Sequence, residues 1–197
     1  MDKEIKELKE IVNNNPSNIN ALINLARAYY DNGNIKEAIK VYNNALKIYP
    51  NDALNWQNLG FLYNELYDYT NAIIALKNAV EINPQLSIAW TELSYAYLES
   101  GDFKETIEAC ENALKFNPND EVAWTNLGSA YYNKNQFDEA INALKNALDL
   151  VPNLEFANTL LNLVEKAKGN KQFSKWSKFL ISLSIIFIIR SVLIIEL

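Results

Sequence analysis

The side chains that carry most protein chemistry are nearly absent from this sequence of 197 residues, which has no histidine and one cysteine, Cys110. Without imidazole there is no histidine-based triad and no imidazole metal ligand, and one thiol builds neither a disulfide framework nor a thiolate metal site. Glu92, Arg27 and several tyrosines remain, but no nucleophile–base pair or general acid–base pair stands out among them. The chain is therefore read as a non-enzyme with no cofactor and no metal. Recognition is the chemistry left to explain.

Side chains suited to recognition recur in four rows. They are Ile23, Gln57, Thr91 and Thr125; Asn24, Asn58, Glu92 and Asn126; Arg27, Phe61, Tyr95 and Ser129; and Tyr30, Asn64, Leu98 and Tyr132. An asparagine offers two donors and an acceptor, so Asn24, Asn58 and Asn126 can pair with the backbone of an extended peptide. Phe61, Tyr95, Tyr30 and Tyr132 supply apolar contact at small cost in side-chain entropy. The expected ligand is a protein or peptide segment, extended or helical.

The elements that must position these rows follow from five prolines. Pro16, Pro50, Pro84, Pro118 and Pro152 are each 34 residues apart, a period that marks a solenoid of stacked units. In register with them run Leu22, Trp56, Trp90 and Trp124, then Leu25, Leu59, Leu93 and Leu127, and then the small residues Ala26, Gly60, Ser94 and Gly128. The columns continue with Tyr29, Tyr63, Tyr97 and Tyr131, then Ala38, Ala72, Thr106 and Ala140, then Tyr42, Leu76, Cys110 and Leu144, then Ala45, Ala79, Ala113 and Ala147. Each unit holds two amphipathic stretches, such as Ile19–Asn32 and Ile35–Tyr49, with apolar residues at steps of three and four. Gly33 and Gly101 stand where the two must turn, the proline ends the second, and Asn18, Asp52 and Asp120 stand where the next helix needs a cap. Stripes at helical spacing are core, so the tryptophan and tyrosine columns are assigned to packing, and Cys110 to a small buried apolar position.

This pattern resembles the tetratricopeptide-repeat family. Trp56, Leu59, Gly60, Tyr63, Ala72, Ala79 and Pro84 carry the likeness, as do Trp124, Leu127, Gly128, Tyr131, Ala140, Ala147 and Pro152; the third unit departs at Ser94, Thr106 and Cys110. The resemblance implies an all-α, right-handed α-solenoid whose concave face is lined by the first helix of each pair, and it is this implied geometry that assigns the four rows above to a peptide-binding groove. The repeat domain is placed at 1–170, with a half-repeat at 2–18, full repeats at 19–52, 53–86, 87–120 and 121–154, and a half-repeat at 155–168. Family members that clamp chaperone C-terminal carboxylates need cations where this chain has Ile23, Ile88 and Glu92, with only Arg27 basic nearby. A typical carboxylate clamp is therefore not expected.

Charge divides the chain. Residues 1–165 hold 12 basic and 23 acidic side chains, whereas 166–197 hold 6 basic ones and only Glu196. The acidic body argues against nucleic acid as a partner. Met1 to Glu10 is charged and lacks the apolar core of a signal peptide, so the repeats are expected on the cytoplasmic side. Residues 171–178 read as a basic juxtamembrane linker, with Lys171, Lys175, Lys178 and Trp176. Residues 179–195 contain thirteen Leu, Ile, Phe or Val, with Arg190 the one charge, and read as a transmembrane helix. Insertion is favoured by about 6 kcal/mol from these apolar residues against about 3 for a central arginine. A single-pass anchor with a cytoplasmic solenoid is the expectation. The alternative is a soluble repeat module whose C-terminal helix caps the solenoid or mediates oligomerisation.

Overall fold

Asparagine, alanine and leucine are the commonest residues between the punctuating prolines, and the alanine and leucine at helical spacing favour helix. The computed structural model describes residues 2–170, and the linker and span assigned to 171–178 and 179–195 lie outside them. Nine helices are α1 (Asp2–Asn14), α2 (Ile19–Asp31), α3 (Ile35–Ile48), α4 (Ala53–Glu65), α5 (Tyr69–Ile82), α6 (Ser87–Ser100), α7 (Phe103–Phe116), α8 (Glu121–Asn133) and α9 (Phe137–Leu150). A further helix, α10, occupies 155–170. Among the described residues there is no strand, and no helix is long and apolar enough to cross a membrane.

The expected caps form. Asn18, Asp52 and Asp120 accept from the backbone N–H of Ala21, Asn55 and Ala123 at 3.1, 3.1 and 2.9 Å. At the equivalent position before α6 stands Leu86, which cannot cap.

Each first helix packs on its second helix, and each second helix on the next first. In addition α4 touches α6 and α6 touches α8, while successive second helices make no comparable contact. The stack is thus tighter on the side of the first helices, which curves that side inward. The close approach inside a pair has a definite cause: a Cβ on Gly60 would lie 2.4 Å from Leu76 Cγ, and one on Gly128 2.6 Å from Leu144 Cγ. Where the facing residue is the smaller Cys110, Ser94 takes the glycine's place.

The tryptophans do more than pack. Trp56, Trp90 and Trp124 are half-buried, and their indole N–H groups donate to the carbonyls of Pro50, Pro84 and Pro118 at 2.8, 2.8 and 2.9 Å. In the last unit Asn158 takes that column and donates to the carbonyl of Pro152 at 3.2 Å. The column therefore pins each inter-repeat turn to the following helix, a role beyond core filling.

Candidate functional site

Among the described residues the curved inner surface has depressions that gather part of the set proposed for recognition, while Tyr30, Gln57, Asn58, Thr125 and Asn126 do not line those described next. At the N-terminal end, Asn24 and Arg27 line one of about 430 Å³ with α1 residues Glu4, Glu7, Leu8 and Ile11. At the C-terminal end, Ser129, Tyr132 and Leu98 line one of about 520 Å³ with Phe156 and Leu160 of α10. The middle one, about 270 Å³, gathers Phe61, Asn64, Thr91, Glu92 and Tyr95 with Glu65, Tyr67 and Val122. Three successive first helices, α4, α6 and α8, build it.

The aromatic side chains are held by one another. Tyr30 meets Phe61 edge to face at 5.5 Å, and Tyr95 meets Tyr69 at 5.9 Å, so these rings enter the groove as supported surfaces. Tyr67 stands at the rim, 75% exposed, with φ 58°. Gly33, Gly101 and Asn135 occupy the same place in the other turns, at φ 74°, 81° and 58°. A left-handed backbone suits glycine and asparagine; for an aromatic residue it costs about 1–2 kcal/mol. That cost is borne at the edge of the central depression, and sequence reasoning missed Tyr67 because it belongs to a turn, outside the helical rows. The signal available was a bulky residue in a column otherwise filled by Gly and Asn.

The asparagine row does not present a uniform ladder. Asn24 is exposed, and Asn58 is half-buried beside buried Tyr42. Asn126 is buried, its side-chain N–H donating to Ser94 Oγ at 3.0 Å. Thr125 and Ser129 are also buried, donating to the carbonyls of Glu121 and Thr125 at 2.6 and 2.9 Å. These three knit α8 to itself and to α6. Gln57 is half-buried on α4.

In the middle depression the Asn64 and Thr91 donors are already used, while the Tyr67 hydroxyl stands exposed at the rim. Asn64 Nδ2 donates to the backbone oxygen and the carboxylate of Glu92 at 3.2 and 2.8 Å, and Thr91 Oγ1 donates to Asp120 Oδ2 at 2.7 Å. Burial pushes the Glu92 carboxyl above its ordinary value; the Asn64 hydrogen bond opposes this, and the charges of Glu65 and Asp120 add to it.

Cys110 is fully buried against Ser94, and burial pushes its thiol up to about 12. Ellman's reagent should therefore react about a thousandfold more slowly than with a free thiol at pH 8 until urea unfolds the chain. Rapid labelling of the folded protein would contradict this burial. Among the described residues no group of histidine, cysteine and carboxylate side chains is placed to hold a metal ion.

Paired helices at a period of 34, with a small residue of each first helix seated on its partner, define a tetratricopeptide-repeat solenoid. The chain belongs to the family described as the cilia and flagella-associated protein 70 C-terminal domain, whose profile matches residues 2–175. No curated protein sequence matches it. Among solved structures it is similar to MamA, with 27% identity and a TM-score of 0.71 over 74% of this chain and 85% of that one. A MamA chain from Desulfovibrio magneticus RS-1, 21% identical, aligns at 0.73 over 79% and 88%. YrrB, a TPR protein with an unusual peptide-binding site, aligns at 0.72 with 18% identity over 83% and 84%.

Proposed function

We propose that this chain is a protein-interaction module that holds a segment of another protein against its inner surface, centred on the depression between Phe61 and Tyr95. The observation that carries the reading is Tyr67, a large exposed ring kept in a left-handed turn at the rim. Its ring meets Tyr69 edge to face at 6.4 Å yet stays largely exposed, and a strained exposed aromatic is the kind of residue retained for contact. The family resemblance to peptide-binding repeat proteins supports it. The domain spans 1–170 in this reading, with Phe61 and Tyr95 as principal contacts and Asn24, Arg27 and Tyr132 extending the surface to either end.

Tyr67→Gly tests the idea by separating folding from binding. The variant should be as stable as the parent or more stable by about 1 kcal/mol, because glycine accepts the turn without strain. It should also bind peptides selected against the parent chain at least about tenfold more weakly. Unchanged affinity would remove the rim from the binding surface.

For the C-terminal segment, capping or self-association is the favoured assignment. Phe156 and Leu163 of α10 are 62% and 47% exposed, leaving an apolar face at the end where a solenoid needs a polar one. The second reading, a single-pass anchor formed by residues 179–195, rests on the composition of that segment. Carbonate extraction of membranes separates them: recovery in the soluble fraction supports the cap, and retention in the pellet supports the anchor.

A further inference from the structure

The central depression has a lopsided inventory. Its carboxylates, Glu65 and Glu92, are acceptors, while the amide protons of Asn64 and the hydroxyl proton of Thr91 are already committed within the protein. Asn64 is itself only 5% exposed, and its side-chain oxygen has no hydrogen-bond partner. A buried acceptor left unpaired costs free energy that a donor entering from the ligand can recover.

The surrounding charge has the same sense. Between residues 53 and 102 the chain has six acidic side chains and a single base, Lys77. Lys77 lines a separate depression with Trp90 and Tyr97, so it does not neutralise this one. Asp120 stands behind Thr91, and no residue lining the central depression is basic. Around these acceptors lie the Phe61, Tyr67 and Tyr95 rings, which attract a cation through their faces.

We propose that this depression receives an arginine side chain of the bound segment, its guanidinium set among these three rings and against the carboxylates of Glu65 and Glu92. The assignment rests on the groove reading above and names the chemistry of its ligand. Arginine fits better than lysine because its planar fork carries five donors and no acceptor and stacks on aromatic rings. The volume of about 270 Å³ suits one large side chain of a longer segment, being smaller than the roughly 300–1,000 Å³ of sites that enclose a whole small molecule. A cation there also offsets the repulsion from Glu65 and Asp120 that adds to the effect of burial on the Glu92 carboxyl.

The test uses the full-length chain in a nonionic detergent and a phage-displayed library of random short peptides. Selected peptides should be enriched in arginine over the input library. Replacing the enriched arginine by citrulline, which keeps the shape and loses the charge, should weaken binding at least about tenfold, or about 1.4 kcal/mol. Against Glu92→Gln, and against Glu65→Gln at an exposed position, the citrulline penalty should shrink to about twofold or less. Peptides selected without arginine enrichment, or indifferent to citrulline, would overturn the arginine site and leave the groove reading standing. Failure to select any peptide would remove both.

Discussion

Leu76→Ala is expected to lower the stability of the folded chain by about 2–5 kcal/mol, because it opens a cavity between the helices of the central pair. Leu76 is fully buried, and its Cγ and Cδ atoms fill the space left by the missing side chain of Gly60. In a solenoid each unit contacts only its neighbours, so a weakened middle unit also uncouples the units on either side. Urea unfolding followed by far-UV circular dichroism should show an earlier and broader transition. A loss below about 1 kcal/mol would mean that the site collapses around the smaller side chain and that this packing is less constrained than the distances indicate.

The reverse exchange is informative. Gly60→Ser alone overfills the same space and should cost about 1–3 kcal/mol. The third unit solves the problem with Ser94 facing Cys110, so adding Leu76→Cys to Gly60→Ser transplants a natural solution. The double variant should recover a large part of what the serine alone loses.

How far the sequence speaks for the structure differs between these features. The proline period placed the helices, and Asn18, Asp52 and Asp120 cap where their positions predict, because capping depends on a few consecutive residues. Phe61, Asn64, Thr91, Glu92 and Tyr95 do meet in one depression, since residues of successive first helices become neighbours once the period is known. Asn126 shows where such reasoning stops. Its row suggested an outward amide, yet its partner Ser94 lies in the preceding unit, where most counterparts carry glycine or alanine that could not accept the bond. The tryptophan column was assigned to packing alone because its hydrogen bonds go to backbone carbonyls, and side-chain patterns do not reveal those. Tyr67 lies in a turn, where helical spacing carries no information.

Asp120→Ala should be the most damaging single change at the edge of the groove. Asp120 Oδ1 accepts from Ala123 N–H at 2.9 Å and caps α8, while Oδ2 accepts from Thr91 Oγ1 on α6 at 2.7 Å. Losing the cap costs about 1 kcal/mol, and losing a hydrogen bond to a charged acceptor costs about 1.5 or more, so about 2–3 kcal/mol is expected together. Asp120→Asn keeps a competent cap and should cost less than about half of that. Thr91→Val removes the link between helices together with the hydroxyl's contact to the Ser87 carbonyl at 3.1 Å, and the Asp120→Ala/Thr91→Val double variant should fall short of additivity by about 1 kcal/mol. Full additivity in urea unfolding would show that the hydroxyl and carboxylate do not cooperate. The same carboxylate adds negative charge beside Glu92, whose carboxyl is raised first by burial and then by Glu65 and Asp120, so Asp120→Asn should weaken an arginine-bearing peptide more than its citrulline counterpart. Asp120 therefore joins two properties of the inner surface: it fastens one repeat to the next, and it adds negative charge behind the depression proposed to receive the arginine.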